Sequence, residues 1–206
     1  MDWKAKQAAK ASAAAAIQAA FPKLVPVGGK VDSLNAAAKN MRIELAAAFP
    51  GVKFSVKSKR FSMGDSITVN WTDGPNGDQV DPIIEKYEAG SFNGMEDIYE
   101  YSRDAWKDAF GDAKYVFSNR SYSDKALASA IRTVKAKYAG NLADKGISDI
   151  SIADYRAGKL YSVDIMDNGS PFWSLQSIIS REAQRRTWAL NKAAPVTAME
   201  EEGEAA

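Results

Sequence analysis

The stretch KFSVKSKRFSMGDSITVNWTDGP, residues 53–75, decides the reading of the fold. Phe54 and Val56 alternate with Lys53, Ser55 and Lys57, while Ile67, Val69 and Trp71 alternate with Thr68, Asn70 and Thr72. Side chains on a strand repeat every two residues, so each set shares a face. The pattern predicts a β-hairpin with one apolar face and one basic, hydroxyl-rich face. Gly64-Asp65 is expected to make its turn, and Asp73-Gly74-Pro75 to end its second strand.

Outward from the hairpin, the chain reads as helices with further short strands. Residues 2–20 predict an Ala-rich helix, broken by Pro22, Pro26 and Gly28-Gly29. Asp32 or Ser33 can cap a second helix over 34–49, with Leu34, Ala38, Met41, Leu45 and Ala48 on one face. A helix near 79–89 follows, with Pro82 in its first turn and Gly90 as its stop. Phe92-Asn93-Gly94 marks a turn, 97–101 a short strand, 103–110 a helix closed by Gly111, and 113–119 another strand. Ser123 can cap a helix running to residue 138, with Leu127, Ile131 and Val134 inward. Then come a short helix over 148–157, a strand over 159–165, and a turn at Asp167-Asn168-Gly169. A last helix over 174–192 carries Leu175, Ile178, Ile179, Ala183 and Leu190 as its stripe.

This order predicts an α+β fold: a small, mostly antiparallel sheet with helices on one face and the other face open to a partner. The expected organisation is a helical arm and linker at 1–31, the α+β domain at 32–140, a C-terminal helical extension at 141–194 and a disordered acidic tail at 195–206.

Composition narrows the chemistry. The 206 residues include no cysteine and no histidine. Disulfides, thiolate zinc sites, Cys nucleophiles, Ser-His-Asp catalysis and imidazole metal sites are therefore excluded. An enzyme here would work with carboxylates, Lys, Tyr, Ser or Arg alone, so none is expected, and no cofactor or metal either. The net charge is +1, but with the tail residues Glu200, Glu201, Glu202 and Glu204 set aside 27 basic residues face 22 acidic ones. That balance suits neither an acidic nucleic-acid mimic nor a strongly basic DNA binder. No apolar run approaches the ~20 residues of a membrane span, and the Ala-rich start reads as a helix rather than a signal peptide.

Several blocks stand in order across roughly residues 35–124: Phe49-Pro50-Gly51-Val52-Lys53-Phe54-Ser55-Val56, Trp71-Thr72-Asp73-Gly74-Pro75, Phe92-Asn93-Gly94-Met95-Glu96-Asp97, Tyr99-Glu100-Tyr101, Ala113-Lys114-Tyr115-Val116-Phe117 and Arg120-Ser121-Tyr122-Ser123-Asp124. Together they resemble the large polyvalent protein-associated domain, type 29, of phage and conjugative-plasmid proteins. Residues 153–162, leading into the last helix, look like what often follows that domain. The resemblance implies a mobile-element origin and a role in the cytoplasm of a bacterial host. It brings no catalytic residues. The expected activity is non-enzymatic binding of a host defence complex or of nucleic acid, of counter-defence, anti-CRISPR or anti-restriction type. The alternatives are a virion-associated or ejected structural accessory, in which self-association into a homo-oligomer would dominate, and a His-free metal-dependent enzyme.

Four constellations are candidates for that activity. The first is the basic hairpin face, Lys53, Lys57, Lys59 and Arg60 with Ser55, Thr68 and Asn70, which could follow a phosphate backbone while Tyr99 and Tyr101 stack on bases. The bland alternative is a solvated face whose edge lysines oppose aggregation. The second is Asp73, with Asp78 and Asp81, as a cation site or as plain turn chemistry. The third is the carboxylate set Glu96, Asp97, Glu100 and Asp104. The fourth is Arg181, Arg185 and Arg186 with Trp188, a nucleic-acid or protein contact; Glu182 can instead pair with Arg186 one turn away.

Overall fold

The computed structural model describes residues 3–102 and 104–187. These divide into two compact units. The first comprises residues 3–70, 80–102 and 104–119, and the second 71–79 and 120–187. The expected acidic tail, Leu190 and Trp188 lie outside the described residues.

In the first unit, α1 (Trp3–Ala20) buries none of its side chains, as its all-round alanine content allows. It lies against the later helix of residues 105–110 through a Lys10–Asp108 ion pair at 2.9 Å. Helix α2 (Ser33–Ala48) starts at Asp32, whose carboxylate accepts the Asn35 N–H at 3.0 Å. That N–H, helped by Arg60, holds the Asp32 carboxyl below the usual range. Of the expected apolar face, Leu34, Ala38, Met41 and Leu45 are buried, and Ala36, Ala37 and Asn40 join them. Asn40 is fully buried, yet its amide is satisfied. It accepts from the Val25 N–H and donates to the carbonyls of Val25 and Phe110. One polar side chain thus pins the linker and the 105–110 helix to α2.

The hairpin is β1 (Ser55–Phe61) and β2 (Gly64–Thr72), antiparallel, with Val56 opposite Val69 and Phe61 opposite Gly64. Its turn is therefore Ser62-Met63, not Gly64-Asp65. Gly64 opens the second strand at φ 149°, where a Cβ would stand 2.7 Å from a Lys114 methylene. The glycine makes room for a neighbouring side chain. Val56, Ile67 and Val69 are buried on the face toward α2.

Helix α3 (Gly77–Ile84) begins two residues earlier than expected, so Pro82 lies in its interior rather than its first turn. Proline removes an intrahelical bond there, and the helix tightens at once into a 3-10 turn, Glu85–Tyr87. Gly90 is not a helix stop. It opens β3 (Gly90–Asn93), which pairs antiparallel with β4 (Ile98–Tyr101), so Phe92-Asn93 is strand rather than turn. A Cβ on Gly90 would meet the Glu100 carbonyl oxygen at 1.9 Å. Gly90→Ala is accordingly expected to destabilise this unit by about 3 kcal/mol, because backbone cannot yield as a side chain would. A urea midpoint unchanged from the parent would contradict this.

Helix α4 (Ala105–Phe110) is capped by Asp104, which accepts from the Lys107 N–H at 2.9 Å, and ends at Gly111 with φ 87°. Strand β5 (Tyr115–Ser121) joins β2, giving the order β1-β2-β5. Side-chain bonds from Asn119 to Asn70 and from the Lys114 N–H to Asp65 keep one offset along the pair, so β5 runs parallel to β2. The three-stranded sheet is mixed: one antiparallel pair and one parallel pair. The architecture is α+β as expected.

The second unit holds the last residues of β2 and β5, then α5 (Asp124–Lys137), α6 (Ala139–Asp144), α7 (Ile152–Arg156) and α8 (Leu175–Arg185). Ser123 caps α5 and Ser174 caps α8. The core is Ala130, Ile131, Val134, Leu142, Ile150, Leu160, Ile165, Leu175, Ile178, Ile179 and Ala183. The strand expected over 159–165 is instead a 3-10 turn, Lys159–Ser162, with one isolated bridge from Asp164 to Ser174. In the following turn the Asp164 carboxylate accepts the N–H groups of Met166, Asn168 and Gly169. Those bonds, the Met166 one foremost, hold its carboxyl below the usual range.

Candidate nucleic-acid interface

The register fixes which side chains share the open face of the sheet. On β1 they are Ser55, Lys57, Lys59 and Phe61; on β2, Gly64, Ser66, Thr68 and Asn70. The parallel offset adds Tyr115, Phe117 and Asn119 from β5. None of these is a carboxylate. Lys57, Lys59, Phe61, Phe117 and Asn119 are exposed, and Thr68, Asn70 and Tyr115 are half-buried.

Arg60 departs from the expected set. It falls on the other face, with Val56, and its guanidinium pairs with Asp32 at 2.8 Å. Lys53 precedes β1 and is exposed.

The face carries an aromatic row that the sequence reading did not assemble. Tyr115 is its hub. Its ring lies 6.3 Å from Phe61 and 6.2 Å from Phe117, with interplanar angles of 16° and 13°. Tyr99 meets Tyr115 edge-on at 5.7 Å, and Tyr101 meets Tyr99 at 4.8 Å. Tyr99 and Tyr101 on β4 thus extend the row beyond the sheet. Phe117 is 50% exposed and Phe61 42%, so flat apolar area faces outward between the lysines. The Lys114 ammonium sits 5.2 Å from the Tyr99 ring and 5.3 Å from the Tyr115 ring, and donates to the Met63 carbonyl. The signal for this row was the alternation of Tyr115, Phe117 and Asn119. It could not be used without knowing that β5 lies beside β2.

Tyr99 is held by its hydroxyl, which donates to the Lys114 carbonyl. Burial, reinforced by Glu88 and the neighbouring tyrosines, pushes that hydroxyl up to about 12. A raised tyrosine favours the folded state below its ordinary value of 10, and that contribution is lost as pH rises from 10 to 12, where the unfolded chain ionises first. Stability should therefore fall across that window, less steeply in Tyr99→Phe than in the parent. Denaturant titrations at stepped alkaline pH test this; parallel profiles would refute it.

The outer edge of β5 is partly capped, because the Glu88 carboxylate accepts the Val116 N–H at 3.2 Å. Burial raises the Glu88 carboxyl, and that N–H opposes the shift.

The remaining candidates separate. Asp73 stands at φ 57°, and its carboxylate accepts the Ser123 N–H at 2.9 Å while Trp71 donates to the Pro75 carbonyl. That bond reaches across to the strand-helix junction rather than to its own turn. Glu96, Asp97 and Glu100 are exposed, and Asp104 is the α4 cap. Among the described residues, no three acidic side chains gather to hold a metal ion. Arg186 bonds Glu182 at 2.8 Å and also Ser129 and Thr133, which ties α8 to α5. Arg181 and Arg185 stand one turn apart on α8.

Residues 32–123 match the family model of the large polyvalent protein associated domain 29. The segment runs from the α2 cap to the α5 cap and contains the whole aromatic and lysine face; Arg181, Arg185 and Arg186 fall outside it. It ties the chain to the proteins of phages and mobile elements. No curated protein and no solved structure matches the chain. Among the described residues no helix is long and apolar enough to cross a membrane.

Proposed function

We propose that this chain is a non-enzymatic binding protein of a mobile element that grips single-stranded nucleic acid on the open face of its mixed sheet. The observation that supports this is the juxtaposition of Phe61, Tyr115 and Phe117 with Lys57 and Lys59 on a face without carboxylates. Exposed rings offer stacking platforms to bases of any sequence. Lysines and the hydroxyl and amide groups of Ser55, Thr68 and Asn70 suit a phosphate backbone. Ring faces can stack on bases only where those bases are unpaired, so unpaired strands are the expected form. The domain match supports a setting in the host cell during entry or transfer, where sequestering or shielding strands would counter host defence. Fluorescence anisotropy with labelled single-stranded and duplex DNA at stepped salt tests the reading. Salt-dependent affinity that favours single strands is expected, and equal or absent binding overturns it.

A protein partner is the second reading. It is favoured by the β3–β4 hairpin, where Met95, Ile98 and Tyr101 are exposed. A pull-down from bacterial lysate with and without nuclease separates the two: retention of a host protein after nuclease favours this second reading.

A further inference from the structure

Helices α5 and α8 of the second unit line an open-sided cavity of about 80 Å³. Thr133, Val134, Lys137 and Tyr138 line it from α5 and its cap, and Ile178, Arg181, Glu182 and Arg185 from α8. The spacing is helical on both sides, so each group presents one face to the same space. The volume exceeds that of a single water site and suits a small polyatomic ion.

The lining is cationic. Lys137, Arg181 and Arg185 carry three positive charges, and the one carboxylate, Glu182, is already paired with Arg186 at 2.7 Å. Arg181 is held in place from outside the cavity. Its guanidinium carbon lies 3.6 Å from the Phe172 ring centroid and 5.2 Å from that of Trp173. Stacking satisfies the flat face of a guanidinium and leaves its in-plane N–H groups needing acceptors. One of them, Nη1, is buried and has no hydrogen-bond partner. A buried unpaired donor on a charged group is costly and calls for an acceptor.

We infer that this cavity is a phosphoryl-binding site, in which Arg181, fixed by its aromatic neighbours, and Lys137 and Arg185 supply the positive charge. Planar guanidinium donors match the oxygens of a tetrahedral oxyanion, and lysine adds a point charge. The site is separate from the sheet face and shares no residue with it. Its ligand is either free phosphate or the terminal phosphate of a nucleic-acid strand.

Equilibrium dialysis of the full chain against labelled inorganic phosphate, at ionic strength fixed with chloride, tests the site. Saturable binding is expected, weakened roughly tenfold or more by each of Lys137→Gln and Arg185→Gln. Both residues are exposed, so these variants are expected to fold. Phe117→Ala on the sheet should leave phosphate binding unchanged, so failure here is distinguishable from failure of the sheet reading. Competition by a 5′-phosphorylated oligonucleotide, but not by its unphosphorylated twin, assigns the site to strand ends; no competition assigns it to free phosphate. Absence of saturable binding, or parental affinity in both variants, overturns the proposal.

Discussion

Phe117→Ala is expected to weaken single-stranded DNA binding by about tenfold to a hundredfold, with little change in stability. A base stacked on an aromatic ring contributes about 1–3 kcal/mol, and about 1.4 kcal/mol is a factor of ten. Phe117 is half exposed in the free protein, so its removal opens no cavity. Lys57→Glu with Lys59→Glu should act differently. Each lost phosphate contact lowers the dependence of log affinity on log salt by about one unit or slightly less. The double variant should therefore bind weakly at low salt and show a flatter salt plot, while Phe117→Ala keeps the parent slope at lower affinity. A Phe117→Ala protein with parental affinity would remove the aromatic row from consideration. A Lys57/Lys59 variant with the parental slope would mean that the lysines serve only to keep the edge strand soluble.

Arg120→Ala is expected to cost the second unit about 3–4 kcal/mol, the largest stability effect of any single substitution considered. Within that unit its guanidinium donates to four backbone carbonyls: Asp73 at 3.0 Å, Gly74 at 2.9 Å, Gln184 at 3.1 Å and Arg186 at 2.8 Å. It thereby fastens the turn after β2 to the end of α8. Its side chain also passes over the Tyr122 ring at 5.2 Å. Burial lowers the affinity of Arg120 for its proton, but an arginine stays charged and donating throughout the accessible pH range. Charge-assisted bonds are worth about 1.5–3 kcal/mol each, and several share one side chain here, so the sum is not simply additive. Arg120→Lys should recover little, because one ammonium cannot span four acceptors. Hydrogen exchange would localise the effect to α8 and the turn at residues 73–75. A Lys variant as stable as the parent would show that charge alone, not the forked geometry, holds the junction.

Local chemistry made much of the fold legible. The period-2 alternation over 53–75 specified the hairpin and its buried face, since burial of Val56, Ile67 and Val69 follows from pattern alone. Asp32, Ser123 and Ser174 were readable as helix starts, because an N-cap is a bond between near neighbours. Two glycines misled. Gly64 and Gly90 look like turn or stop residues, but each makes room for distant atoms, a Lys114 methylene and the Glu100 carbonyl. That demand comes from elsewhere in the chain and leaves no local trace. Pro82 falls inside α3 for a local reason, because Asn76 and Gln79 close a reciprocal cap that starts the helix earlier, while residues 159–165 coil into a 3-10 turn and keep one isolated bridge, Asp164 to Ser174.

The candidate site divides the same way. Lys57, Lys59, Ser55, Thr68 and Asn70 were assigned to one face from sequence alone, because strand parity is a local property. Arg60 was misplaced because the same parity sends it to the other face, where Asp32 of α2's cap receives it. The sequence by itself determined the helix caps, the alternating hairpin and the absence of thiol and imidazole chemistry, all of which depend on residue type or near spacing. Only the tertiary structure decided that β5 lies parallel beside β2. That contact joins residues 49 positions apart, and it alone brings Tyr115 and Phe117 next to the lysines.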